Sequence, residues 1–348
     1  MHTTLTQPSL RRMFALTATA AVLLAATANA QSTVRPVPRI AKPLDWNAGG
    51  IAAPVAEAPR FDPLLTRYER LAATHEFENA RRVEVEAFGQ MLPGASLETG
   101  GGEVETARFG WRARLLQEMD SGATLGFALE NEASFYDFGL SNPLVGTDTD
   151  PFNDVYLTRL ASTYYGQLST ELAYFGGAEI VLAGEPDAGL EASTTFGATT
   201  GFAYRAHEDL EVTVGLFAYS RLEDDAVLLP FIGLAWRITD GLELNAEGNR
   251  VALDAELTDA VDLELYATYD QRQFRLEDGG GLESPALRDE QIDIGATFGI
   301  ALTEAARLEI GAGYTTWREL TVLNDGAALG EVELDPQPFA TLGLSVTL

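Results

Sequence analysis

The stretch Phe339-Ala340-Thr341-Leu342-Gly343-Leu344-Ser345-Val346-Thr347-Leu348 sets the reading of the whole chain. Ala340, Leu342, Leu344, Val346 and Leu348 fall on one side of an extended strand, and Thr341, Gly343, Ser345 and Thr347 on the other. Side chains alternate across a strand, so this segment has one greasy face and one small, polar face. A strand of that kind at the C-terminus is expected as the closing strand of a transmembrane β-barrel.

The same period of two runs back through the chain to about residue 82. Val83, Val85 and Ala87 alternate with Glu84, Glu86 and Phe88. Ala107, Phe109, Trp111, Ala113 and Leu115 alternate with Arg108, Gly110, Arg112 and Arg114. Ile292, Ile294, Ala296, Phe298 and Ile300 alternate with Asp293, Gly295, Thr297 and Gly299. Between such runs recur short turns, most with an acid, as in Ile238-Thr239-Asp240-Gly241-Leu242 and Leu302-Thr303-Glu304-Ala305-Ala306. A further turn is placed near Gly166-Gln167. They alternate with longer polar connections at 92–103, 137–153, 184–189, 222–225, 277–288 and 321–337, with one tight exception at Gly248-Asn249. Short turns at one end and long loops at the other predict an all-β, up-and-down antiparallel barrel spanning 82–348. The strand tally is about 14, or 12 if the short pair 242–248 and 250–257 is an excursion. A barrel that wide cannot be filled by side chains as an eight-stranded one can. The polar face is therefore expected to line a wet lumen and the apolar face to meet lipid.

The N-terminal 81 residues read differently. Arg11 and Arg12, the apolar run Met13 to Thr27 and the small residues of Ala28-Asn29-Ala30 form a signal peptide, with cleavage expected after Ala30. Residues 31–81 are a Pro-rich tether followed by a short helix from Pro63, either periplasmic or a plug. After the signal no apolar run is long enough for a spanning helix.

Composition narrows the function. The 348 residues carry 23 Lys+Arg against 52 Asp+Glu, a net charge of −29, so nucleic acid is not an expected partner. There is no Cys, hence no disulfide and no thiolate metal site. Of three His, His2 lies in the signal, His75 before the barrel and His207 in a short turn, so histidine-assisted hydrolysis has no positioned base near the outer loops. No enzymatic activity and no cofactor are expected. Asp148 to Asp154 begins like a calcium loop but lacks its Gly and distant Glu, and is read as a solvated acidic loop. Gly100 to Gly102 and Gly279 to Gly281 are loop punctuation.

One pattern carries a candidate site. Glu84 and Glu86, then Arg108, Arg112 and Arg114, then Glu130 and Glu132 all fall on the inner face of three successive strands. The turn after Arg114 sets Arg112 opposite Glu130 and Arg108 near Glu132. Such a ladder either lays a transverse field across a pore or narrows the lumen as a salt-bridge lattice. The pattern alone leaves both readings open.

The end of the chain also resembles a known signal. Thr341-x-Gly343-x-x-Val346-x-Leu348 is similar to the C-terminal pattern that Gram-negative outer-membrane proteins show to the barrel assembly machinery, with Leu348 where those proteins usually carry an aromatic. The resemblance implies an outer-membrane location, delivery by periplasmic chaperones, and contact with lipid and lipopolysaccharide. The function expected is a porin-like channel for small solutes. A non-conducting structural or adhesion barrel, or a plugged transporter for apolar substrates, is the alternative.

Overall fold

The computed structural model describes residues 81–97, 102–139, 152, 154–223, 225–278, 282 and 285–348. The expectations for the signal peptide, the tether, the short helix and most of the acidic loop at 148–154 lie outside these residues. The described chain is all strand and turn.

The strands, in chain order, are β1 (Arg81–Ser96), β2 (Glu103–Glu118), β3 (Thr124–Phe138), β4 (Asp154–Gln167), β5 (Leu172–Gly184), β6 (Thr194–His207), β7 (Leu210–Tyr219), β8 (Val227–Thr239), β9 (Leu242–Glu247), β10 (Arg250–Thr258), β11 (Val261–Arg275), β12 (Ala286–Ala301), β13 (Ala306–Asn324), β14 (Ala327–Leu334) and β15 (Gln337–Thr347). Each wall strand pairs antiparallel with its neighbours in the ring, and β15 closes that ring between β13 and β1. Fourteen strands make the wall; β14 lies outside it, paired along its length with β13 and bridged at Leu334 to Leu97. The short pair β9 and β10 belongs to the wall, so the larger strand count holds.

The C-terminal strand does what its pattern predicts. Thr347, Ser345 and Gly343 face Glu84, Glu86 and Phe88 across the seam. Leu348 and Val83 exchange both backbone hydrogen bonds, at 2.8 and 3.2 Å. Closure leaves no free edge along this seam, as a hydrocarbon surround demands.

Three boundaries differ from the expectation. The connection expected at 321–337 is structured. β13 runs on to Asn324, Asp325 and Gly326 turn with φ of 51° and 74°, and β14 returns. Positive φ at both central residues is the hairpin turn that Asp-Gly favours, and the acids around it gave the segment a loop-like composition. β1 likewise continues past Leu92, through an irregularity, to Ser96. The turn placed near Gly166-Gln167 lies at 168–171 instead, because β4 runs to Gln167.

The wall is uneven. β9 has only 6 residues. At a rise of about 3.3 Å per residue and a tilt of ~40°, it climbs roughly 15 Å, short of the ~25 Å apolar band of such barrels. Above the β9–β10 hairpin, residues 227–232 of β8 pair with β7 alone. Above Thr268, β11 pairs with β12, and on its other side its backbone bonds only to Asn249 until its tip. A notch therefore opens in the wall between β8 and β11.

The upper part of β11 leans across the lumen. Its last residue, Arg275, forms a parallel bridge with Gly184 of β5, six strands away around the ring. That close approach needs glycine: a Cβ on Gly184 would lie 2.6 Å from the Arg275 carbonyl oxygen. The upper lumen is thus divided into two lobes. One, enclosed by β11 to β14 and β1 to β5, is packed solid. Leu92, Val104, Phe274, Leu287, Leu320 and Leu334 are almost entirely buried there, and Phe152 sits edge-on to Tyr136 and Phe138, each at 5.0 Å. The other lobe lies between β11 and the inner faces of β5 to β10.

Candidate functional site in the barrel lumen

The filled lobe explains where the inward charges go. Below its apolar plug, Asp289 of β12 is clamped by two guanidinium groups. Arg108 donates to it at 2.6 Å and Arg318 at 2.9 and 3.0 Å. The Tyr136 hydroxyl donates at 2.7 Å, and the Arg318 guanidinium lies 5.7 Å from the Tyr136 ring centre. Arg108 also donates to Gln90 and Gln291, and Arg318 to Thr106. Arg108 is only 1% exposed, so its charge is stable there only because partners surround it. These contacts join β2 and β3 to β12 and β13, making the lattice a set of struts across the lumen.

The ladder continues lower down. Arg112 donates to Glu130 at 3.0 and 3.1 Å and to Glu86 at 3.4 Å. Arg114 lies 3.8 Å from Glu84 and 4.0 Å from Glu86. Arg159 of β4 joins Glu130 at 3.6 Å to Glu179 at 3.4 Å. All seven residues of the predicted ladder point inward, and the Arg112–Glu130 pair is as expected. Arg108 also lies near Glu132, diagonally across the β2–β3 pair, as expected, but the two do not pair directly. Arg108 turns to Asp289, and Glu132 takes Arg272 of β11 at 3.2 Å, with Asp270 on the far side of Arg272 at 2.6 Å. Asp270, Arg272, Asp289 and Arg318 were missed. For Asp270, Arg272 and Asp289 the signal was present, since each is a charge on the inner phase of its strand; Arg318 falls on the outer phase of β13 by alternation, and only the irregularity between Thr315 and Trp317 turns it inward. Alternation gives a face and never the partner across a lumen.

The outer face is as apolar as the inner is polar. Trp111, Phe127, Leu160, Phe196, Phe202, Ile232, Ile294, Phe298, Ile310 and Leu342 stand exposed on it, Phe196 to 57%. A continuous collar of large apolar side chains around a closed strand ring belongs in lipid. The chain is a closed, fourteen-stranded antiparallel β-barrel with the inside-out polarity of a transmembrane barrel. Among its described residues no helix is long and apolar enough to cross a membrane.

The barrel matches no protein-family model and no curated protein sequence. Solved structures similar to it include a FadL homologue from Pseudomonas aeruginosa, 12% identical over 86% of this chain and 95% of that one, with a TM-score of 0.45. An outer membrane channel from Pseudomonas putida F1 is also 12% identical, over 84% of this chain and 100% of that one, with a TM-score of 0.43. The toluene transporter TodX of P. putida is 7% identical over 80% of this chain and 92% of that one, with a TM-score of 0.42.

The open lobe has a different lining from the filled one. Gly197, Thr199, Gly201, Thr213, Gly215 and Gly233 are small. The rings of Phe175 and Phe231 lie flat over Gly201 and Gly215, where a Cβ would come within 2.5 and 2.4 Å of them. Arg275 ties down the outer end of the lobe, donating to the carbonyls of Ala192 at 3.1 Å and Leu222 at 2.6 Å and pairing with Glu223. At the opposite end His207, Glu208 and Asp209 gather in an exposed turn. The residues of the C-terminal pattern all lie in β15 or, for Leu348, at its end; Thr341 and Gly343 face the lumen and Val346 pairs with Val85 and Ala306.

Proposed function

We propose that the barrel is an outer-membrane channel for small solutes, with its route through the open lobe between β11 and β5 to β10. The observation that supports this reading is the division of the lumen. One lobe is filled by an apolar plug and a buried ionic lattice, and the other is lined by Gly, Thr, a few aromatics and the polar side chains of Glu211, Asn245 and Glu247. The lattice then acts structurally, holding β11 and β12 against β2 to β4 and fixing the shape of the second lobe. No catalytic role is assigned, because the one histidine of the described barrel, His207, sits in an exposed turn away from the lumen charges.

Cleavage after Ala30, delivery by periplasmic chaperones and recognition of Thr341, Gly343, Val346 and Leu348 by the barrel assembly machinery belong to the same proposal. So does contact of the outer collar with lipid and lipopolysaccharide. Single-channel recording of the refolded barrel tests the route. A small steady conductance that rises in Arg275→Ala supports it. Silence in both proteins would leave the non-conducting structural barrel, which the packed upper lobe favours, as the surviving reading. Recording with and without residues 31–80 tests whether that segment is a plug.

A further inference from the structure

The inward lean of β11 has a side effect on its outer phase. Ala267 and Leu265 on that phase face lipid, and Gln271 and Gln273 should follow them. Gln271 is instead only 4% exposed. Neither its amide nitrogen nor its amide oxygen has a hydrogen-bond partner. A buried amide left unsatisfied is costly, so a persistent one calls for an occupant that pairs with it.

Gln271 lines a cavity of about 60 Å³ between β11 and the upper ends of β4 to β7. The cavity has two kinds of wall. Leu157, Val181, Ala183 and Leu222 are apolar, whereas Gln271, Gln273 and the Tyr219 hydroxyl lie on the polar side. Leu222 is anchored there by its backbone N–H, which donates to the Gln273 side chain at 3.3 Å. With each water needing roughly 10–15 Å³ of such space and filling ~30 Å³ of liquid, the cavity holds about four to six waters, or a compact organic body of roughly 120–180 Å³.

We propose that this cavity binds a small neutral molecule with an apolar body and a carboxamide-like head, which pairs with the Gln271 amide. The head must both donate and accept side by side, because the glutamine amide offers one of each. It is neutral because the three guanidinium groups lining the cavity already have partners: Arg159 has Glu130 and Glu179, Arg272 has Glu132 and Asp270, and Arg221 donates to the Asp225 carbonyl at 3.0 Å. An added charge would find no counterion and would face a chain of net charge −29. The inference rests on the channel reading for its biological sense, since the cavity lies in the lobe assigned to the route.

The test is binding, measured without transport. Titration calorimetry on the detergent-purified full chain compares benzamide, benzoate and toluene. Benzamide is expected to bind saturably, with benzoate and toluene at least tenfold weaker. Gln271→Leu removes both hydrogen bonds to the head and should weaken benzamide about tenfold while leaving toluene unchanged. Thr195→Leu, which fills the cavity from β6, should abolish benzamide binding with Gln271 intact. Retained heat-modifiable mobility on gels establishes that each variant is folded. Equal affinity for benzamide and toluene, or benzamide binding indifferent to both substitutions, overturns the proposal. Binding without conductance would refute the channel reading and leave this site standing; conductance without binding would do the reverse.

Discussion

Asp289→Asn isolates the part of the structure that fills half the lumen. The carboxylate accepts four hydrogen bonds, three from Arg108 and Arg318 and one from Tyr136. The substitution keeps the shape and removes the charge, which leaves two buried guanidinium groups without their shared counterion. Breaking a buried pair costs about 3–5 kcal/mol. Two cations lose one anion here, although Gln90, Gln291 and Thr106 still accept from them, so ~4 kcal/mol is expected. That is nearly a thousandfold in the folded-to-unfolded ratio, and about 2 M in urea midpoint for a slope of about 2 kcal/mol/M. Urea titration of the barrel in lipid vesicles, followed by tryptophan fluorescence, measures the midpoint, and vesicle leakage measures the seal. The variant should be both less stable and leakier. The triple variant Arg108→Met, Asp289→Leu, Arg318→Met should recover most of the stability, since apolar replacement of a whole buried charge group is often neutral. A loss below ~1 kcal/mol in Asp289→Asn, with leakage unchanged, would refute the view that this cluster braces the lumen.

Three further outcomes are expected. Deleting Val346–Leu348 removes the paired backbone bonds between Leu348 and Val83 and two rungs of the closing seam, so the truncated chain should fail to appear in outer-membrane fractions; normal insertion would contradict the seam assignment. Gly184→Ala pushes a Cβ to 2.6 Å from the Arg275 carbonyl oxygen, so the tip of β11 should detach and conductance should rise several-fold while the barrel still folds. Glu319→Gln relieves a row of like charges on the extracellular extension, where Glu290, Glu319 and Glu333 stand directly opposite one another. Burial first, then Glu331, Glu290 and Glu333, push the Glu319 carboxyl above its ordinary range, so its ionisation costs the folded state. The substitution should therefore raise the thermal midpoint at neutral pH, and the gain should fade as pH falls through the carboxylate range; a gain that persists in acid would contradict the charge explanation.

Much of this barrel follows from sequence because the relevant physics is local. A period of two assigns each side chain to a face, and a run of such strands joined by short turns permits few other folds. The faces of β12 and β15, the inner position of the seven ladder residues and the wall strands β9 and β10 all follow from that rule. Composition misleads only where local cues compete, as at Asp325–Gly326, where surrounding acids mask a hairpin turn.

What the tertiary structure alone decides is everything that crosses the lumen. Arg108 finds Asp289 at a separation of 181 residues, and no alternation pattern encodes that distance. The lean of β11 arises because β9 and β10 are too short to support its upper edge, so the free end packs on β4 and β5 instead. That lean fills one lobe with apolar side chains, opens the other, and buries Gln271 on a phase that the sequence alone assigns to lipid. Faces are set by the geometry of one strand; partners are set by how the closed ring is flattened, which depends on all the strands at once.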